Sequence, residues 1–309
     1  MPPSTYRASR GLTYGPEARN QLDVYAPPAA QGAPTVVFYY GGNWHGGARA
    51  DYLFAGEALA SKGFVAVIPD YRLYPEVRFP AFLQDCAQAA GWTLRRISQF
   101  GGDPQRVFVM GHSAGAYNAA MIALAPEYLR LAGAAPPRIR GLIGLAGPYD
   151  FLPLQTNLNK TIFGFPDTPV ATQPIHFASA AAPPSLLVTG DDDRTVDPGN
   201  SRRLAARLRE RGAQVREIIY PGIGHRALLG RSRRRCARWH RCWTTWRHSS
   251  GRCDSRARRD DRFSFSRSIA GPVDAIRLFT PEERKQILQL GRAPWLCPRS
   301  AGKRRSGNR

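Results

Sequence analysis

The sequence predicts an α/β protein: a mostly parallel central sheet with helices on both faces. Three observations carry this. Short runs rich in Val, Ile, Phe and Tyr alternate with longer segments of helix formers over residues 6–229, the order that builds parallel strands joined by helical crossovers. Several of those runs are apolar throughout, as strands covered on both faces are. Two of them end in glycine-rich turns, Gly41-Gly42-Asn43-Trp44 and Gly111-His112-Ser113-Ala114-Gly115.

The elements follow in order. Alternating runs on either side of Tyr14-Gly15-Pro16 within residues 6–26 suggest an antiparallel edge hairpin. A buried strand is expected at 35–40, a helix at 51–61 with Gly63 as its C-cap, and a second buried strand at 64–69. A longer helix fits 80–100, ended by Gly101-Gly102, and delivers the chain to a strand at 106–110. The segment 116–124 holds helix formers and neither Gly nor Pro, so strand, tight turn and helix surround Ser113. A strand at 141–146 follows. Residues 151–183 carry several prolines and no sustained period, and they read as an irregular, cap-like insertion over the sheet edge, not as a core element. The sheet resumes with strands at 185–189 and 215–220, separated by a helix at 201–211 that Gly212 ends.

Composition divides the chain in two. Of its 309 residues 43% are hydrophobic, enough for a sizeable core, and the net charge is +21. Residues 1–225 carry 21 basic against 17 acidic side chains, while 226–309 carry 23 against 6, so the basic character belongs to the C-terminal part. Cys86 stands alone in the body, as in a protein of a reducing compartment. No apolar run reaches the ~18 residues of a membrane helix, and the first residues have no signal-peptide pattern. A cytoplasmic protein is the expectation.

A serine hydroxyl needs a neutral imidazole to take its proton, and the imidazole needs a carboxylate to fix its tautomer. Ser113 sits where a G-x-S-x-G turn lifts it above a strand end. The carboxylate candidates lie in Gly190-Asp191-Asp192-Asp193-Arg194-Thr195-Val196. Three adjacent acids are costly to bring together unless each points somewhere different. The G-x-x-D-x-x-V spacing selects Asp193, with Asp192 as second choice. Of six histidines, His225 follows the last strand in a glycine-bearing loop and completes a Ser, Asp, His order with gaps of roughly 80 and 30 residues. His112 adjoins the serine and is assigned to local packing. An oxyanion hole needs two N–H donors: Ala114, directly after the serine, and Gly42 or Asn43 in the first glycine turn.

Together Tyr40-Gly41-Gly42-Asn43-Trp44, Asp70-Tyr71-Arg72-Leu73, Gly111-His112-Ser113-Ala114-Gly115, Ala146-Gly147-Pro148-Tyr149-Asp150, Asp193 and His225 resemble the α/β-hydrolase superfamily. The resemblance covers residues from about 10 to 229 and is nearest to the carboxylesterase branch of hormone-sensitive-lipase-like and arylformamidase-type esterases. It implies the α/β-hydrolase fold and a serine esterase for small or medium acyl esters, working through an acyl-enzyme with no metal or cofactor. An amidase or arylformamidase with the same triad is the alternative. Relatives usually carry His where Tyr40 stands, so Tyr40 and Trp44 are expected to line the acyl pocket.

The family pattern stops after Leu229-Gly230. The catalytic domain is therefore expected over 1–230, followed by a basic, irregular tail over 231–309. In that tail Arg, Cys, Trp and His cluster without period, as around Arg233-Arg234-Arg235-Cys236 and Trp239-His240-Arg241-Cys242-Trp243. A GC-rich gene read out of frame gives such a composition, and sequencing of the DNA at codon 231 tests that reading. A competing reading is a catalytically impaired hydrolase whose tail binds nucleic acid through phosphate neutralisation and stacking. A zinc site is disfavoured because Cys236, Cys242 and Cys253 form no close Cys pair.

Overall fold

A computed structural model describes residues 6–134 and 139–229; the tail over 231–309, with its frameshift, nucleic-acid and zinc readings, lies outside the described residues. The β-branched and aromatic runs form one eight-stranded sheet: β1 Arg7–Thr13, β2 Gln21–Ala26, β3 Ala33–Tyr39, β4 Val65–Pro69, β5 Gly102–His112, β6 Ile139–Leu145, β7 Ser185–Gly190 and β8 Val215–Tyr220. Their order across the sheet is β1-β2-β4-β3-β5-β6-β7-β8. The hairpin pairs β1 with β2 and β2 with β4 antiparallel, and every other pairing is parallel. The parallel part thus starts at β3, steps once to β4 beside the hairpin, then crosses back to β5 and runs on to β8. This is the α/β-hydrolase fold.

Among the described residues six helices cover the sheet: α1 Leu53–Ala60, α2 Ala81–Arg96, α3 Ala114–Leu124, α4 Pro126–Leu131, α5 Asn157–Phe163 and α6 Gly199–Glu210. The helix expected at 51–61 is divided into a 3₁₀ turn, Arg49–Tyr52, and α1. That expected at 80–100 ends in a 3₁₀ turn, Ile97–Phe100, and a left-handed Gly101. Because β4 is buried at every position, and β3 at all but its first, these strands lack the alternation of a half-exposed sheet. α3 is buried along nearly its whole length, which explains why the residues of 114–124 are mostly apolar or small.

The insertion over 151–183 differs from expectation. It holds α5, two turns long, whose N-cap Thr156 side chain accepts the Asn159 N–H at 3.1 Å and whose end is the left-handed Gly164. Ile162 and Phe163 are buried in the same core as the sheet. A helix this short shows no readable periodicity, yet it delivers one aromatic ring to the centre of a cluster: Phe163 lies edge-on to Trp44 and Tyr117 at centroid distances of 4.9 and 5.7 Å.

Candidate active site

β5 runs through the middle of the sheet and ends at His112; α3 begins at Ala114. The one residue between them, Ser113, has φ 56 and ψ −124, a conformation that costs a non-glycine residue on the order of 1–3 kcal/mol. The surrounding hydrogen bonds hold it there: Ser113 N–H donates to Leu145 O at 2.9 Å, and the Ser113 carbonyl accepts from Ala116 N–H at 2.9 Å. Close backbone packing makes glycine necessary beside it. A Cβ on Gly115 would collide with the carbonyl oxygens of Tyr39 and Tyr40, so α3 could not approach β3.

The turns after β7 and β8 bring the acid and the imidazole to the serine. His225 Nε2 stands 2.9 Å from Ser113 Oγ, and His225 Nδ1 stands 2.7 Å from Asp193 Oδ2. Since a carboxylate only accepts, Nδ1 carries the proton and the Nε2 lone pair faces the serine hydroxyl. Asp193 is buried, and its Oδ1 accepts the N–H groups of Thr195 and Val196 at 2.9 and 3.0 Å. Burial alone would raise the carboxyl's pKa; the hydrogen bond from His225 and those two N–H groups outweigh it and hold Asp193 below the usual range.

The three adjacent acids do diverge. Asp191 Oδ1 accepts the Gly222 N–H at 2.6 Å, and Asp192 pairs with exposed Arg194 at 3.2 Å. Neither carboxylate is the one on His225. His112 has a closer relation to the site than local packing: its Nε2 lies 3.1 Å from the His225 carbonyl oxygen, and the two rings are 4.7 Å apart. Nothing in the sequence linked these two histidines, because the contact joins the end of β5 to a loop 113 residues later.

The first glycine turn packs beside the serine, with a Cβ built on Gly41 falling 3.0 Å from Ser113 Cβ. Gly42, Asn43 and Trp44 all have positive φ, at 137, 55 and 56. The Gly42 carbonyl accepts from His45 N–H at 3.1 Å and Gly46 N–H at 3.0 Å. Gly42 and Asn43 are exposed, and among the described residues no acceptor takes their N–H groups or that of Ala114. Three polar side chains fasten this loop from behind. Arg19 donates to the Gly47 carbonyl at 2.5 Å and to Tyr71 O at 2.8 Å, Arg49 spans Asp23 and Asp70, and Asp70 accepts the Arg49 N–H at 2.7 Å.

Tyr40 and Trp44 do not line an open pocket, which corrects their assignment. Tyr40 is fully buried, stacked between Tyr52 and Tyr71 at 5.5 and 4.7 Å. Its hydroxyl donates to Asp70 Oδ1 at 2.9 Å and accepts from Arg19 Nη2 at 3.1 Å. Trp44 is 2% exposed, donates to Asn118 Oδ1 at 3.0 Å and packs on Tyr117 and Phe163. The loop backbone reaches the site, while the side chains on it turn into the core. A large ring finds more apolar surface there than at the rim.

Comparison with known proteins agrees with this architecture. The BD-FAE family model matches residues 22–208, a span that contains Ser113 and Asp193 and ends before His225. Isoprenylcysteine alpha-carbonyl methylesterase ICME of Arabidopsis thaliana is 30% identical over 242 residues, 71% of this chain and 57% of that protein. Esterase LipC of Mycobacterium tuberculosis is 29% identical over 241 residues, 71% of this chain and 60% of that one. The chain spans little more than half the length of these curated relatives. Among solved structures, a truncated carbohydrate esterase from gut microbiota superposes with a TM-score of 0.66 at 21% identity, covering 72% of this chain and 90% of that chain. Esterase 2 of Thermogutta terrifontis, phosphoramylated by tabun, gives 0.62 at 22%, covering 79% and 95%. The family match spans well over half of the sequence and the shared fold spans the described sheet: this chain belongs to the BD-FAE family and has the α/β-hydrolase fold.

Proposed function

We propose that the chain is a serine esterase acting on small or medium carboxylic esters, with residues 1–230 as its catalytic domain. The observation that carries the reading is the unbroken line from Asp193 Oδ2 through both His225 nitrogens to Ser113 Oγ, at 2.7 and 2.9 Å. Relatives named as esterases support the reaction class. In the proposed mechanism His225 Nε2 takes the Ser113 proton as Oγ attacks the ester carbonyl carbon. Asp193 stabilises the imidazolium that forms. The oxyanion accepts hydrogen bonds from Ala114 N–H and from Gly42 or Asn43 N–H. His225 then gives its proton to the leaving alkoxide, and the acyl-enzyme remains. A water molecule, deprotonated by the same imidazole, attacks the acyl carbon and releases the acid and free Ser113. Free, buried Cys86 fits the cytoplasmic setting we assign, and no described helix is long and apolar enough to cross a membrane.

The test is hydrolysis of p-nitrophenyl acetate and butyrate, with a p-nitroanilide beside them, by the full chain and by Ser113→Ala. A fluorophosphonate label reports the serine directly. Ester turnover and labelling that both vanish in the variant are expected. Turnover that survives Ser113→Ala, or soluble folded protein with no turnover, overturns the reading; a preference for the anilide moves it to an amidase.

A further inference from the structure

His112 is the residue immediately before the serine, and it is 4% exposed. Its Nε2 faces the His225 carbonyl oxygen at 3.1 Å. A carbonyl only accepts, so Nε2 carries the proton and Nδ1 is the bare nitrogen. Among the described residues Nδ1 has no hydrogen-bond partner. A buried polar atom left without a partner is costly, and a fold that tolerates one on this ring has a use for the other nitrogen. Burial first, and the neighbouring His225 second, push the His112 imidazole down to about 3. The ring therefore stays neutral 4.7 Å from the His225 ring and places no positive charge against the imidazolium that His225 becomes.

The His225 turn is fastened to the turn after β7 at two points, Gly222 N–H on Asp191 and the imidazole Nδ1 on Asp193. Neither bond touches the main chain of His225 itself. Within the turn, Ala227 N–H and Leu228 N–H fold back on the Gly224 carbonyl at 3.1 and 3.3 Å, which closes the turn but does not attach it to the sheet. The bond from His112 does. It ties the His225 peptide to the end of β5, the strand that also fixes the serine.

We propose that His112 is a positioning residue for the reaction: its Nε2–H holds the His225 carbonyl and so sets the separation between His225 Nε2 and Ser113 Oγ. This inference rests on the esterase reading above. It couples two positions that would otherwise vary independently, because nucleophile and base are referred to the same strand end.

The test compares His112→Gln with His112→Leu in the full chain on p-nitrophenyl acetate. Glutamine keeps an uncharged N–H donor at a similar reach; leucine keeps the volume and removes the donor. Since a misplacement of about 1 Å costs about 100-fold in rate, the leucine variant is expected to lose about 10- to 100-fold in kcat at nearly unchanged KM, and the glutamine variant less than about 5-fold. Turnover that the leucine variant leaves intact, or a glutamine variant as impaired as leucine, overturns this inference alone. Absence of Ser113-dependent turnover in the wild-type chain overturns the esterase reading and this inference with it. Should the leucine variant not fold, nitrogen-15 NMR of histidine-labelled wild-type protein decides: the His112 ring is expected as the Nε2–H tautomer from about pH 5 to 8, and an Nδ1–H tautomer overturns the proposal.

Discussion

Asp191 accepts the Gly222 N–H at 2.6 Å and so joins the turn after β7 to the turn after β8. Two residues later Asp193 makes the same crossing, to the His225 imidazole. One bond supports the loop and the other orients the ring, and they should differ in consequence. Asp191 is exposed, so Asp191→Ala is expected to lower kcat by less than about 10-fold. Asp193→Asn presents an amide in place of the carboxylate, disturbs the imidazole tautomer and is expected to cost on the order of 10⁴-fold. Asp192→Ala is expected to leave kcat unchanged. Steady-state kinetics of the three variants checks the order; comparable losses at 191 and 193 would contradict it.

Acid should destabilise the fold through His112. The unfolded imidazole protonates below about pH 6.5, whereas the folded one resists until about 3. Between those values the unfolded chain binds the extra proton, so stability falls as pH falls, by up to about 1.4 kcal/mol per unit. Asp193, whose folded pKa is depressed, adds a further loss below about pH 4. Urea titrations at pH 7 and pH 5 are expected to show a smaller difference for His112→Gln than for the wild type. An equal difference would rule out His112 as the source.

Two glycine-to-alanine substitutions should differ sharply in severity. At Gly115 the new methyl meets the backbone carbonyls of Tyr39 and Tyr40, and α3 has to move away from β3. Gly115→Ala is expected to lose activity and most soluble expression, as overpacking against immobile backbone does. Gly212, unlike helical Gly115, has a positive φ of 81, but open space around it, so Gly212→Ala should cost only about 1–2 kcal/mol of left-handed strain. Thermal melting and soluble yield of the pair give the comparison.

Tyr40→Phe removes a buried hydroxyl that serves both Asp70 and Arg19. Losing it leaves charged groups short of a partner and is expected to destabilise the protein by about 1–3 kcal/mol. KM should stay the same, since the ring is sealed from the site. A KM change of the kind a pocket wall gives, with no change in melting temperature, would restore the acyl-pocket assignment.

The sequence carried the strand order of burial well, because β3 and β4 need apolar residues on both faces and nothing else explains such runs. Ser113, Asp193 and His225 were legible as candidates because each follows a strand end in a turn with recognisable spacing. What sequence could not convey was direction. Tyr40 and Trp44 stand beside the site in the chain, yet their side chains point into the core, and only the packing of Tyr71, Tyr117 and Phe163 decides that. His112 is the converse: adjacency to the serine suggested local packing, while the bond it makes depends on a loop from the far end of the fold. α5 was hidden by its two-turn length.

The site draws its members from regions of unequal firmness. Ser113 rides on β5, whose last six residues are all buried, whereas His225 follows β8, the outermost of the described strands, where no residue is fully buried. Edges of this kind open at lower free energy than centres. On heating, the imidazole should part from the serine while the central strands are still intact, so that esterase activity fades several degrees before the cooperative melt. Fraying at the rim, more than collapse of the core, would then set the temperature at which the proposed enzyme stops working.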